Sequence, residues 1–194
     1  MTVRQAVRTR TFYAVTAGIL ASSMTTVAVL PQVSGHLADV GLSSGLIPLG
    51  VSFLSAAGMI AKPTFGTIAE RFSARTACML SLTCQCVFLM MLAFAPNHYV
   101  VWAALALYGL SMGAHSALVP LLVQQSFGVR NFGAIAGLVN LFTVLPFALG
   151  PILAGASHDI TGNYRLAFAV TVAIYAVGVI ALTQVKQFRE LERA

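Results

Sequence analysis

Two titratable side chains stand inside long apolar runs of this sequence, Lys62 and His115. A lysine there offers a positive charge to an anion. Gly58 and Gly66 lie four residues to either side of it and clear one helical face, while Pro63 removes the hydrogen bond its own N–H would give the Met59 carbonyl. His115 extends a polar stripe through Ser111 at i−4 and Tyr108 at i−7, the pattern of a water-lined cavity wall. Asn140 and Thr143 share a face further on, and Ser22, Ser23, Thr25 and Thr26 cluster earlier. Each feature has a plainer alternative. Lysine can snorkel to a membrane surface, a neutral imidazole can bridge two helices, and hydroxyls can bond back to their own helix. The pairs Gly109/Gly113 and Gly133/Gly137 have the spacing that lets helices pack closely.

Catalytic patterns are weak by comparison. Gly41-Leu42-Ser43-Ser44-Gly45 has nucleophile-elbow spacing, but it joins two apolar runs and lacks the preceding strand, so its serines read as helix caps. No metalloprotease helix, phosphate-cradling loop or pair of intramembrane carboxylates occurs. Cys78, Cys84 and Cys86 all fall in one apolar run and form neither a disulfide framework nor a paired zinc motif. The chain is therefore not expected to be an enzyme, nor to need a cofactor or a metal.

The elements that must position these residues follow from composition. Of 194 residues, 58% are hydrophobic and 8% charged, with a mean hydropathy of +0.88; soluble domains carry about 25% charged residues. Sixteen charged side chains cannot clothe a soluble body of 20.4 kDa, so most of the exterior must face lipid. The net charge of +6 forms no aromatic-interleaved patch and points to topology, not to nucleic acid.

Crossing the hydrocarbon takes about 20 apolar residues. Six stretches qualify: Phe12 to Val33, Leu46 to Ile68, Thr76 to Ala95, Tyr99 to Val123, Phe132 to Ser157 and Leu166 to Val185. Between them lie turn-forming segments, Gly41 to Gly45, Pro96-Asn97-His98 and His158 to Asn163 among them, while Arg130-Asn131 breaks a further apolar stretch. The expected architecture is an all-α membrane protein with one six-helix transmembrane domain over residues 1–194. Residues 1–11 form an N-terminal segment and 186–194 a C-terminal tail. One side collects Arg4, Arg8, Arg10, Arg71, Arg75, Arg130, Lys186, Arg189 and Arg193, and the other holds only Arg165. Short basic loops stay inside, so both termini are expected in the cytoplasm and the protein in an inner or plasma membrane. Lys62 then lies roughly 9 Å, and His115 roughly 12 Å, from the cytoplasmic ends of their helices. Apart from Gln85 and Tyr175, the third and sixth spans are nearly featureless and are expected to face lipid.

Gly66-Thr67-Ile68-Ala69-Glu70-Arg71-Phe72-Ser73-Ala74-Arg75 resembles the Gly-x-x-Ala-Asp-Arg-x-Gly-Arg-Arg loop of major facilitator superfamily transporters, departing from it at Ser73 and Ala74. Gly58 to Gly66, with Lys62-Pro63 at its centre, is similar to the Asp-x-x-x-Arg-Pro-x-x-Gly segment of monocarboxylate porters and oxalate/formate exchangers, with Gly58 in place of the acid. Gly150-Pro151-Ile152-Leu153-Ala154-Gly155 and Asp159-Ile160-Thr161-Gly162-Asn163-Tyr164 resemble sequences closing the eleventh helix of the same porters. The resemblance implies the C-terminal half of a twelve-helix fold, built as two inverted three-helix repeats with the substrate site between halves.

It also implies roles. Lys62 would hold the carboxylate of a small organic anion, and the polar residues read above from their spacing, His115, Tyr108, Ser111 and Asn140, would line the cavity. Gly66, Glu70, Arg71 and Arg75 would form a gating loop. Alternating-access symport would require a second six-helix half, a separate chain or a second copy. The partners expected are thus membrane lipid, the anion and that half, with no nucleic acid. The alternative is a non-transporting relic or a membrane assembly partner.

Overall fold

The structure is a computed structural model, and it describes residues 2–185. The expected tail with Lys186, Arg189 and Arg193 lies outside the described residues. Six helices are long and apolar enough to cross a membrane: α1 (Arg10–Asp39), α2 (Leu46–Arg71), α3 (Ala74–Ala93), α4 (His98–Phe127), α5 (Phe132–Thr161) and α6 (Arg165–Leu182). A single turn, Val3–Val7, precedes them, closed by a reciprocal Thr2–Gln5 capping box. Side-chain caps also start three of the spans: Thr9, Ser73 and Asn97 accept from Phe12, Thr76 and Val100 N–H. No strand occurs among the described residues.

Helices α1, α2, α4 and α5 all outrun the spans read from sequence, and two of them do so past a local obstacle. The first was expected to end at Val33, yet α1 continues to Asp39 by changing its winding: α-helical to Met24, a π turn over Thr25–Val29, a 3-10 turn over Leu30–Gln32, then α again. Pro31 supplies the cause. Its ring would collide with the Val27 carbonyl in a regular helix, and widening the turn relieves the clash. The second is α5, which absorbs His158 to Thr161, a segment expected to be turn. The polar residues there do not break the helix, and Thr161 Oγ1 satisfies itself by donating to the Ser157 carbonyl. It stops at Gly162, whose φ of +70° and N–H to the His158 carbonyl form a left-handed cap. α4 is interrupted at Gly113–Ala114, between segments His98–Met112 and His115–Phe127.

Packing is symmetric between the two halves of the chain. α4 packs on α2 and α3 as α1 packs on α5 and α6, with α3 against α6 between them, the pairing of two inverted three-helix repeats. α1 is the most enclosed, with 67% of its most apolar stretch buried; α2 and α5 are the most open, at 28% and 17%. The two open helices occupy equivalent places in their repeats, and their outer faces carry Phe53, Met59, Ile60, Leu141, Leu145 and Ile152.

The closest crossing joins α2 to α4. Gly113 meets the backbone of Gly58, and Gly109 that of Leu54, so closely that a Cβ on either α4 glycine would collide with a carbonyl oxygen of α2. The space expected beside Lys62 at Gly58 is therefore filled by a neighbouring helix. Gly66, Gly133 and Gly137 have nothing within 4 Å of such a Cβ, so the second glycine pair does not pack as the first does.

Candidate functional site

The interior is held by polar groups. Thr25, the first residue of the π turn in α1, donates to Gln85 Oε1 of α3 at 2.5 Å. That bond uses its only proton, so Tyr175 of α6 must donate to Thr25 (2.6 Å) and Tyr108 of α4 must donate to Tyr175 (2.9 Å). From the other end of its amide, Gln85 Nε2 donates to Ser81 Oγ (3.1 Å), which donates to the Ser111 carbonyl (2.8 Å). The result is one chain of hydrogen bonds with a single direction on each side of Gln85, crossing α1, α3, α4 and α6. All six residues are buried, Tyr108, Tyr175 and Gln85 completely.

This corrects two expectations. Tyr108 and Ser111 do not line an open wall; they face inward, and Ser111 Oγ bonds back to the Tyr108 carbonyl. Nor are spans three and six merely lipid-facing. α3 does present an exposed stripe at Thr76, Leu80, Thr83 and Val87, but Gln85 points to the interior, as does Tyr175 on α6. A polar side chain in an apolar run must find a partner somewhere, and that was the available signal.

Tyr175→Phe is expected to lower stability by about 1–2 kcal/mol, because it strands the Tyr108 hydroxyl in a dry interior. Adding Tyr108→Phe should recover part of the loss, since both partners are then apolar. Thermal melts of the single and double variants in detergent check this; strictly additive losses would refute the pairing.

Lys62 is exposed on the open side of α2, with no hydrogen bond or ion pair among the described residues. Asn140 is likewise exposed on α5, its carbonyl accepting from Thr143 (2.6 Å). His115 lies elsewhere. It is half-buried at the break in α4 and lines a small cavity with Ser22 of α1 and Ser81 and Cys78 of α3, and Lys62 is not part of that wall. The structure thus places Lys62 and Asn140 on the open faces, His115 in the interior, and Tyr108 and Ser111 in the buried chain.

At the arginine-rich end, Arg75 is the latch. Its guanidinium donates to the Val185 (3.0 Å) and Thr183 (2.6 Å) carbonyls, capping the end of α6. The neighbouring Ala74 N–H donates to Gln125 of α4 at 2.8 Å. Glu70 and Arg71 of the expected gating loop are exposed and form no ion pair among the described residues, and the loop is tied to the bundle by the Arg75 cation on carbonyls. At the opposite end His158 approaches Asp39 (3.8 Å), clasping α5 to the end of α1, and lies tilted against the Tyr164 ring (4.7 Å between centroids).

The family model that matches this chain, over residues 12–191, is described as Major Facilitator Superfamily. Monocarboxylate transporter 2 of Rattus norvegicus is 28% identical over 139 residues, which are 68% of this chain and 28% of that protein. Quinolone resistance protein NorA of Staphylococcus aureus is 23% identical over 153 residues, 77% of this chain and 39% of that one. Among solved structures, the fucose:proton symporter FucP of E. coli superposes with a TM-score of 0.78 at 16% identity, covering 93% of this chain and 44% of its own. The chain spans less than half the length of each.

Proposed function

The chain belongs to the Major Facilitator Superfamily, and on that footing we propose that it moves a small organic anion of the monocarboxylate class across the membrane by alternating access, as one wall of a path that a second six-helix unit completes. The observation that carries this reading is Lys62, a cation on the open face of an apolar helix with no partner of its own among the described residues. A charge in that position stays costly until something anionic or aqueous meets it. A carboxylate answers both charge and hydrogen-bonding capacity, and the relatives named for monocarboxylate transport agree in class.

The open faces of α2 and α5 support the second half of the proposal. Exposed apolar residues such as Met59 on α2 and Leu141 on α5 stand on the same helices as exposed Lys62 and Asn140, a mix that suits another helical unit enclosing a wet path better than it suits lipid. The basic residues of the Arg75 end support a cytoplasmic position for both termini. On this reading symport with protons proceeds by rocking against the second unit, with Gly66, Glu70, Arg71 and Arg75 as the inner gate.

Subunit stoichiometry tests the pairing. Native mass spectrometry of the chain in nanodiscs is expected to show two six-helix units per particle, either two copies or this chain with a second protein, and those particles in liposomes should take up lactate, formate or oxalate under an inward proton gradient. Single copies only, with no uptake in any combination, would overturn the reading and leave the assembly-partner alternative.

A further inference from the structure

His115 carries a polar atom that the candidate site leaves without a use. Its Nδ1 is fully buried and has no hydrogen-bond partner among the described residues. It borders a cavity of about 10 Å³ between α1, α3, α4 and α6, whose remaining polar lining is Ser22, Ser81 and Cys78. A space of roughly 10–15 Å³ holds a single water, and a buried water typically makes about three hydrogen bonds. Three polar residues on the cavity wall could serve it, His115, Ser22 and Ser81. Nδ1 needs a bond, the Ser22 hydroxyl can donate or accept, and Ser81 Oγ, which donates to the Ser111 carbonyl and accepts from Gln85, keeps one lone pair.

We propose that this cavity binds one ordered water, shared by His115, Ser22 and Ser81, which joins His115 to the buried chain running through Gln85, Thr25, Tyr175 and Tyr108. The water suits either charge state of the imidazole. With Nδ1 as acceptor, the water donates to it and to Ser81 and accepts from Ser22. With Nδ1 protonated from the bulk, the water turns, accepts from His115 and donates to both serines. In both arrangements Nδ1 keeps a partner, and the bonds from Ser81 through Gln85 to Thr25 at the π turn of α1 stay in place. Cys78 is the other titratable group on the cavity wall, and Lys62 is not part of it. The site is a property of the folded chain, independent of whether an anion crosses beside it.

Water-selective NMR of the full chain in lipid nanodiscs, labelled with ¹⁵N-histidine, tests this directly. His115→Asn identifies the His115 signals among the four histidines by difference. A cross-peak between His115 and a slowly exchanging water is expected in the unmodified chain and should disappear in Ser22→Val, which fills the cavity without changing charge. No such cross-peak in the unmodified chain would mean a dry cavity and overturn the proposal. A cross-peak that survives unchanged in folded Ser22→Val would mean bulk water reaches His115 by another route and would also overturn it. The unmodified chain alone decides whether water is bound, so the proposal remains testable if Ser22→Val does not fold.

Discussion

Gly113→Ala is expected to lower the melting temperature of the purified chain by about 6–12 °C, the equivalent of roughly 3 kcal/mol for a chain of this size. The added Cβ has nowhere to go. It would collide with the Gly58 carbonyl, a backbone atom of α2 that cannot swing aside as a side chain would, and Gly109 meets Leu54 in the same way one turn earlier. The helices must separate. Lipid tails are as apolar as leucine, so α2 and α4 are held together mostly by van der Waals contact, and a gap of 0.5–1 Å forfeits about a quarter to a half of each contact it touches. Leu54, Ala61, Ala104 and Leu105 are buried around this crossing and would share the loss. The single tryptophan reports on the same interface, since Trp102 of α4 meets Phe53 of α2 edge to face at 5.7 Å between centroids. Gly137→Ala is the control: nothing lies within 4 Å of its new methyl group, and the better helix propensity of alanine should leave the melt unchanged or slightly raised. Equal losses at Gly113 and Gly137 would remove the close crossing as the explanation.

That contrast shows how far the sequence reaches. Gly109/Gly113 and Gly133/Gly137 have identical spacing, and only the first pair touches a neighbour. Spacing says that a helix can be approached closely, but not whether another helix arrives. The existence of the six helices was legible because twenty apolar residues have few other uses, and the family was legible because the α2–α3 segment and the end of α5 keep recognisable motifs. The facing of each helix was less so. In water, the polar side of a helix points outward and the apolar side inward. In an all-apolar span that rule is silent, so Tyr108 and Ser111 read equally well as a cavity wall or as buried partners. Gln85 and Tyr175 were visible as isolated polar residues, but their common partner Thr25 comes into register through the π turn, which Pro31 imposes and no hydrophobic period records. Gly150 completes the same arrangement, since its bare backbone lies against Val27 and Ala28 at the widened turn.

The remaining large effect concerns the charge. In particles that transport, Lys62→Gln is expected to weaken anion uptake roughly 10- to 150-fold, the worth of one charge-assisted hydrogen bond of about 1.5–3 kcal/mol. Lys62→Arg should keep most of the activity, because a guanidinium meets a carboxylate with two parallel donors where lysine offers a point charge. The competing account is that the ammonium snorkels to the nearer headgroups. Helix α2 ends at Arg71, so the Lys62 backbone sits about 14 Å from that end, deeper than the shorter span read from sequence implied and a long way for a four-carbon stem. Snorkelling also makes a different prediction, because a lysine that only reaches for headgroups can be neutralised without consequence for transport. Uptake of labelled lactate, formate and oxalate by the unmodified protein and by the Lys62→Gln and Lys62→Arg variants separates the two. Since Lys62 is exposed and unpartnered among the described residues, its replacement should leave stability within about 0.5 kcal/mol, so a lost signal reports binding and not folding. Unchanged uptake in Lys62→Gln would sink the anion site and return the lysine to the membrane surface.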